Sequence, residues 1–316
     1  MIEPLDVPDA TLLGWVRTGW GHPAAGIRFI PAGLDGWGYQ VDDFRDAGGA
    51  EAASTFFLKV RRSAPAPPAW QVPWHLRRCG LTPVVAPLPT SSGAPYLAVE
   101  DFWLLLYPYV DGSNLWERGL TDPQWTEYGR FLRALHSAPL PDVDLPVEAF
   151  ATTAPDRLVA LAPAAARSPW VGELWAAHGD ELHRLADEVR SLAGRCAGGD
   201  APRVLCHADI HPGNLLADAD GGLHVVDWDA PIVAPRERDL LFVLSGEYGE
   251  HPINPTREAL FRRGYGEFPV DDTLMNYYRH ERRLDDIAAF LARILDPATT
   301  EVTRANEVYW LNRILS

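Results

Sequence analysis

Apolar and polar positions along the first hundred residues alternate more than they cycle. DATLLGWVRTGW (9–20) predicts a short helix, but residues 26–30, 37–44 and 54–60 predict strands, the last within STFFLKV. APAPPAWQVPW interrupts regular structure with its prolines. A short helix over about 70–79 ends at Gly80. PVVAPLPT, YLAVEDF and WLLLYPYV are further strand candidates, with TSSGAP as a turn. After Asp111–Gly112 the period changes. TDPQWTEYGRFLRALHSA carries Trp125, Tyr128, Phe131, Leu132 and Leu135 at helical spacing, with Thr121 or Asp122 as cap and Pro123 in the first turn. Residues 169–197 and 272–296 are two more long helical patterns, separated by a short β region at 203–227.

These patterns give an α+β chain without internal repeats. A small β-rich lobe (1–110) precedes a larger, mostly helical lobe (111–316), with a linker near 107–112. A chain of 316 residues with 47% apolar and 22% charged positions suits a soluble globular protein with a sizeable core. The start lacks the basic and apolar regions of a signal peptide, and FWLLLYPYV is too short to span a bilayer. Cys79, Cys196 and Cys206 are few and scattered, which points to a reducing cytoplasm. A net charge of −15 repels phosphate backbones, arguing against nucleic acid and for cationic small molecules as partners.

The densest chemistry lies in RVLCHADIHPGNLLADADGGLHVVDWD (203–229). NLLA and LHVVDW flank the turn signal DADGG and predict a hairpin that brings Asn214 and Asp227 to one end. An amide oxygen and a carboxylate converging there suit Mg²⁺. Asp209, on the loop entering the hairpin, can orient a hydroxyl nucleophile and accept its proton.

His207, Asp209, Asn214 and the Asp227–Trp228 pair resemble the catalytic and metal-binding loops of eukaryotic-like kinases, in the form used by aminoglycoside phosphotransferases. The resemblance extends over nearly the whole chain; DWDAPIVAPRERDLLFV and YYRHERRLDDIAAF are most similar to spectinomycin phosphotransferases. It implies a bilobal protein-kinase-like fold and an ATP- or GTP-dependent O-phosphotransferase acting on an aminocyclitol or aminoglycoside. In that reading Lys59 grips nucleotide phosphates, and Gly36 and Gly38 belong to a nucleotide-covering loop. Tyr107 to Val110, with Tyr109 between them, form the hinge that reads the base. Asp239 supports the catalytic loop, and His207 braces the backbone. His211, Asp229, Glu281 and Asp285 are candidate substrate contacts, the last two sharing a helical face.

One feature departs from the family pattern. The kinase lysine usually pairs with a glutamate on the next helix, yet no Asp or Glu occurs between Lys59 and Glu100, and Gln71 stands where that helix is expected. Three rivals follow. The chain could phosphorylate another antibiotic, a sugar or an amino alcohol. It could be a nucleotide-binding pseudokinase. Or His207, Asp209 and His211 could form a zinc hydrolase site, which Pro212–Gly213 disfavours by imposing a loop.

Overall fold

The computed structural model describes residues 2–31, 36–43, 54–245 and 253–315. Residues 32–35 of the expected covering loop, and Phe44 at the end of an expected strand, lie outside them. The chain begins with helix α1 (Asp9–Trp20) and strands β1 (Ala24–Ile30), β2 (Trp37–Asp43) and β3 (Thr55–Arg61). Helix α2 (Pro68–Arg78), β4 (Leu97–Val99), β5 (Phe102–Pro108) and β6 (Gly112–Asn114) follow. Next come α3 (Leu115–Arg118), α4 (Asp122–His136), α5 (Ala154–Ala165), α6 (Gly172–Ala197) and β7 (Arg203–Cys206). The chain ends with β8 (Leu215–Asp218), β9 (Leu223–Val225), β10 (Ile232–Pro235), α7 (Glu237–Leu244), α8 (Pro255–Tyr265), α9 (Asp272–Leu295) and α10 (Glu301–Leu315). The class is α+β, with the strands of the main sheet all in the first 110 residues.

The chain divides into two compact units. The first holds Met1–Pro146, His207–Ile232 and Gly246–Glu267; the second holds Val147–Cys206, Val233–Ser245 and Phe268–Ser316. The change from strands to helices near residue 110 therefore falls inside the first unit.

In the first unit the antiparallel sheet runs β1-β2-β3-β5-β4. Leu12, Leu13, Val16 and Trp20 of α1 share one core with Tyr39, Val41, Leu58, Val60, Leu104 and Leu106. The two-residue period of β3 buries Phe56, Leu58 and Val60 and turns Phe57, Lys59 and Arg61 to the other face. A three-stranded sheet, β6-β8-β9, follows.

Two expectations from the prolines are revised. The helix predicted at 70–79 starts earlier: Pro68 occupies its first turn, where a missing N–H costs nothing, and Pro73 is accommodated inside it. PVVAPLPT is not a strand. Pro83, Pro87 and Pro89 deny it a ladder, and it makes only isolated bridges, Val84 to Val225 and Leu88 to Leu106.

Helix α4 starts at a capping box: Gln124 Oε1 accepts from the Thr121 N–H at 3.0 Å. It packs on α8 with backbones in direct approach. A Cβ on Gly129 would strike the Phe261 carbonyl, and one on Gly264 the Thr126 carbonyl. In the second unit α9 is the centre, packed against α5, α6, α7 and α10. Among the described residues no helix is long and apolar enough to cross a membrane.

The helix crossing yields a test. Gly264→Ala raises helix propensity by about 1 kcal/mol, yet overpacking costs about 1–3 kcal/mol. Net destabilisation is therefore expected in urea titration; a more stable variant would show that α4 and α8 are not in contact at this glycine.

Candidate active site

The loop between β7 and β8 is built from its own hydrogen bonds. His207 is fully buried; its Nε2 donates to the Val226 carbonyl at 3.0 Å and its Nδ1 accepts from the Asp209 N–H at 3.3 Å. Both ring nitrogens are spent, so His207 offers none to a metal, and the zinc reading loses its first ligand. The ring rests on Trp228, centroids 4.4 Å apart. Tyr128 Oη of α4 donates to the Ile210 carbonyl at 2.6 Å, pinning the loop from below. Ala208, next to Asp209, has φ +71°, a left-handed conformation that a non-glycine residue holds only when its surroundings impose it.

Asp209 and Asn214 are joined. Asn214 Nδ2 donates to the Asp209 carbonyl oxygen at 2.7 Å and to its Oδ2 at 3.3 Å. A carbonyl oxygen only accepts, so the amide nitrogen must face Asp209, leaving Asn214 Oδ1 on the other side. The hairpin forms as expected about its turn, with Leu215 opposite Val225, and both strands stop short of Asn214 and Asp227. The Val226 N–H donates to the Asn214 carbonyl at 3.1 Å, so residues 214 and 227 leave the hairpin at the same end. Asp227 is not in a strand, however. Its φ of +64° turns the chain, so strand alternation does not govern where Asp227 and Asp229 point.

Lys59 meets both of those carboxylates, at 2.6 Å to Asp227 Oδ1 and 2.8 Å to Asp229 Oδ2. Arg61 adds a 3.0 Å contact to the same Asp229 oxygen. Lys59 is the only lysine of the chain; its other 27 cationic side chains are arginines. Burial alone would pull the Lys59 ammonium down, but Asp227 and Asp229 outweigh it and hold it well above the ordinary lysine value. Burial likewise works to raise the Asp227 carboxyl, and the Lys59 charge overrides it and holds it below the usual value. Burial pushes the neighbouring Tyr107 phenol up.

The remaining expected residues are placed as follows. Gly36 allows the Val60 carbonyl to come within 2.6 Å of where a Cβ would sit, and Gly38 allows the Phe57 ring to come within 2.8 Å of where its own Cβ would sit. Gly38 is also the partner of Lys59 across β2 and β3, and the Phe57 ring takes the space a side chain at Gly38 would fill. Just past β5 the Tyr109 N–H donates to the Thr55 carbonyl, and in β5 Tyr107 stands opposite Phe57 in the same bonded set. The opposite edge carries the Leu106 carbonyl, which accepts from Leu88, and then Pro108; Val110 lies beyond the strand. His211 Nδ1 accepts from the Gly213 N–H at 2.9 Å, and its Nε2 stands 3.8 Å from Asp209 Oδ1.

In the second unit, Glu281 is already engaged by Arg238 at 3.0 Å and Thr152 at 3.1 Å, and Asp285 by Arg157 at 2.6 Å. Asp239 is fully buried in the first turn of α7. Four residues were not anticipated. Arg61 shares the face of Lys59, Tyr128 anchors the loop, Asn114 Nδ2 donates to the Gly213 carbonyl at 2.6 Å, and Trp116 lies edge-on to His211. The signals for Arg61 were its two-residue spacing from Lys59 and, for Asn114, its position as cap of α3.

Chemically, the arrangement offers a fixed carboxylate, a clamped ammonium and two oxygens available to a cation. Lys59 takes Asp227 Oδ1, and Oδ2 has no hydrogen bond among the described residues. Asn214 Oδ1 and Asp227 Oδ2 are hard donors of the type Mg²⁺ prefers, so the residues present fit that ion.

The Lys59–Asp227 pair predicts a pH dependence. A depressed carboxyl contributes stability fully above its ordinary value, about pH 4, and loses it as pH falls through its lower folded value. The stability difference between wild type and Asp227→Asn should therefore be more favourable to wild type at about pH 7 than at about pH 3. Urea midpoints at the two pH values measure it; a constant difference would remove the pair as a source of stability.

Comparison with known proteins bears on the family and the fold. Residues 28–275 match the model of the Phosphotransferase enzyme family. Protein StrN of Streptomyces griseus is 28% identical over 293 residues, covering 87% of this chain and 81% of that protein. The spectinomycin phosphotransferase APH(9)-Ia, solved with ADP and spectinomycin, superposes with a TM-score of 0.82 at 24% identity, over 98% of this chain and 94% of that one. Amicoumacin kinase hAmiN, solved with AMP-PNP, Ca²⁺ and Ami, gives 0.65 at 17%, over 98% and 92%. The fold is thus protein-kinase-like, and the chain belongs to the Phosphotransferase enzyme family, as a small-molecule phosphotransferase.

Proposed function

We propose that the chain transfers the γ-phosphoryl group of ATP or GTP to a hydroxyl of a cationic aminocyclitol or aminoglycoside, of the spectinomycin kind, and so confers resistance. The observation that carries this reading is the convergence of Asp209, Asn214, Asp227 and Lys59 around one loop and one strand. The nucleotides and drugs held by the solved relatives support it, and the net charge of −15 suits a cationic acceptor.

Each residue then has a task that follows from its contacts. Asp209, steadied by Asn214, orients the acceptor hydroxyl and accepts its proton. Lys59 holds phosphate oxygens. Asn214 and Asp227 hold Mg²⁺, which when bound neutralises developing charge on the phosphates. Pro108 and Val110 present main-chain groups to the base, because those of Tyr107 and Tyr109 face β3. Gly36 and Gly38 belong to the nucleotide-covering segment, where they let the Val60 carbonyl and the Phe57 ring approach closely. His211 lies beside Asp209, near the acceptor. Glu281 and Asp285 are partnered by arginines and are not assigned to the acceptor amines. Transfer depends mainly on positioning and charge, which is why so few residues serve it. The regulatory pseudokinase alternative drew on a lysine without an acid, and Asp229 supplies that acid.

The test is mass spectrometry of an aminocyclitol and aminoglycoside panel incubated with protein, Mg²⁺ and nucleotide, which should show gain of one phosphoryl unit. Asp209→Asn should lower kcat by about 10²–10⁴-fold while nucleotide affinity stays near that of wild type. Unchanged turnover would remove Asp209 from its role, and nucleotide binding without any product would restore the pseudokinase.

A further inference from the structure

The kinase lysine must be held in place, and no acidic residue lies between Lys59 and Glu100 to do it from the following helix. Gln71 of α2 does not take over: its Oε1 is buried with no hydrogen-bond partner. The two carboxylates that do reach Lys59 differ in what else they must do. Asp227 belongs to the oxygen pair that fits a cation. Asp229 does not, and it is itself fixed from a second side by Arg61. Lys59 and Arg61 stand two residues apart on one face of β3, and the same oxygen of Asp229 bridges them at 2.8 and 3.0 Å. Asp227, Lys59, Asp229 and Arg61 thus form a chain of alternating charge. A cation drawing on Asp227 leaves Asp229 as the remaining partner of the lysine.

We infer that Asp229 is a positioning residue for Lys59, supplying from the segment after β9 the carboxylate that the following helix lacks, with Arg61 holding Asp229 in turn. The part concerning turnover rests on the function proposed above; the part concerning how Lys59 is held does not. This assignment replaces the expectation that Asp229 binds the amines of the acceptor.

Because the chain has one lysine, protein grown with ¹³Cε-lysine gives a single side-chain signal, whose relaxation reports how firmly Lys59 is held. Asp229→Asn should give a markedly more mobile signal than wild type in the free enzyme, and Asp229→Glu should retain much of the order. Circular dichroism confirms that both variants are folded. In kinetics, Asp229→Asn should lower kcat about 10- to 100-fold through misplacement of the ammonium, with acceptor KM within about twofold of wild type. Unchanged ¹³Cε relaxation in Asp229→Asn overturns the inference. So does a large rise in acceptor KM at constant kcat, the mark of an amine-binding carboxylate. If wild type phosphorylates no acceptor but the relaxation responds as expected, the proposed function fails and the anchoring of Lys59 stands.

Discussion

One ammonium between two carboxylates joins parts of this chain that are nearly 170 residues apart. Lys59 comes from the third strand of the sheet, and Asp227 and Asp229 from the segment that follows the hairpin. None of these charges is fully in water, and a half-desolvated charge is tolerated only when it is paired and hydrogen-bonded. The network meets that condition by alternation. Each carboxylate faces a cation, and the lysine, with two carboxylates, is held charged against the effect of its own burial. The rest of the first unit keeps those ends in register. The core shared with α1 buries Phe56, Leu58 and Val60 and so fixes the face of β3 on which Lys59 emerges, and His207 and Tyr128 fix the loop that carries Asp209.

Much of the site was legible because its information is local. DADGG between two apolar runs is a turn with a physical cause, and a hairpin folded about it can only bring Asn214 and Asp227 to one end. Pro212–Gly213 announced a loop, which is what the structure has, a short 3₁₀ turn ending at Asn214. Helix α1 was readable to the residue, and α4 nearly so, because each combines a periodic apolar face with an end signal.

What could not be read depends on partners far along the chain. Nothing near Asp229 indicates that Lys59 and Arg61 will lie on it, and nothing near Tyr128 marks its hydroxyl as the anchor of a loop 82 residues away. Helix α8 escaped for a different reason. It is rich in charge and buries Phe261, Gly264 and Tyr265, so its contact with α4 is made by a glycine and two aromatic rings and not by a periodic apolar stripe. A pattern of hydrophobic spacing is blind to that kind of packing. The error over PVVAPLPT has the opposite origin, an apolar run whose prolines removed the donors a ladder needs.

The composition of the chain bears on the same network. With 27 arginines and one lysine, this protein places a cation almost always as guanidinium, and position 59 is the exception. The exception has a geometric reason. An ammonium has three donors spread around one nitrogen, whereas a guanidinium presents a planar fork that matches one carboxylate side-on. At Lys59 two of the three donors go to separate carboxylates, and no third partner occupies the nitrogen among the described residues. A guanidinium can also bridge two carboxylates, as Arg190 does between Asp156 and Asp187, but it spreads its donors over a planar group instead of placing them on one nitrogen. The compact ion can be clamped from two sides and still direct one hydrogen outward. A group that must be fixed by the protein while it grips a phosphate oxygen needs that combination.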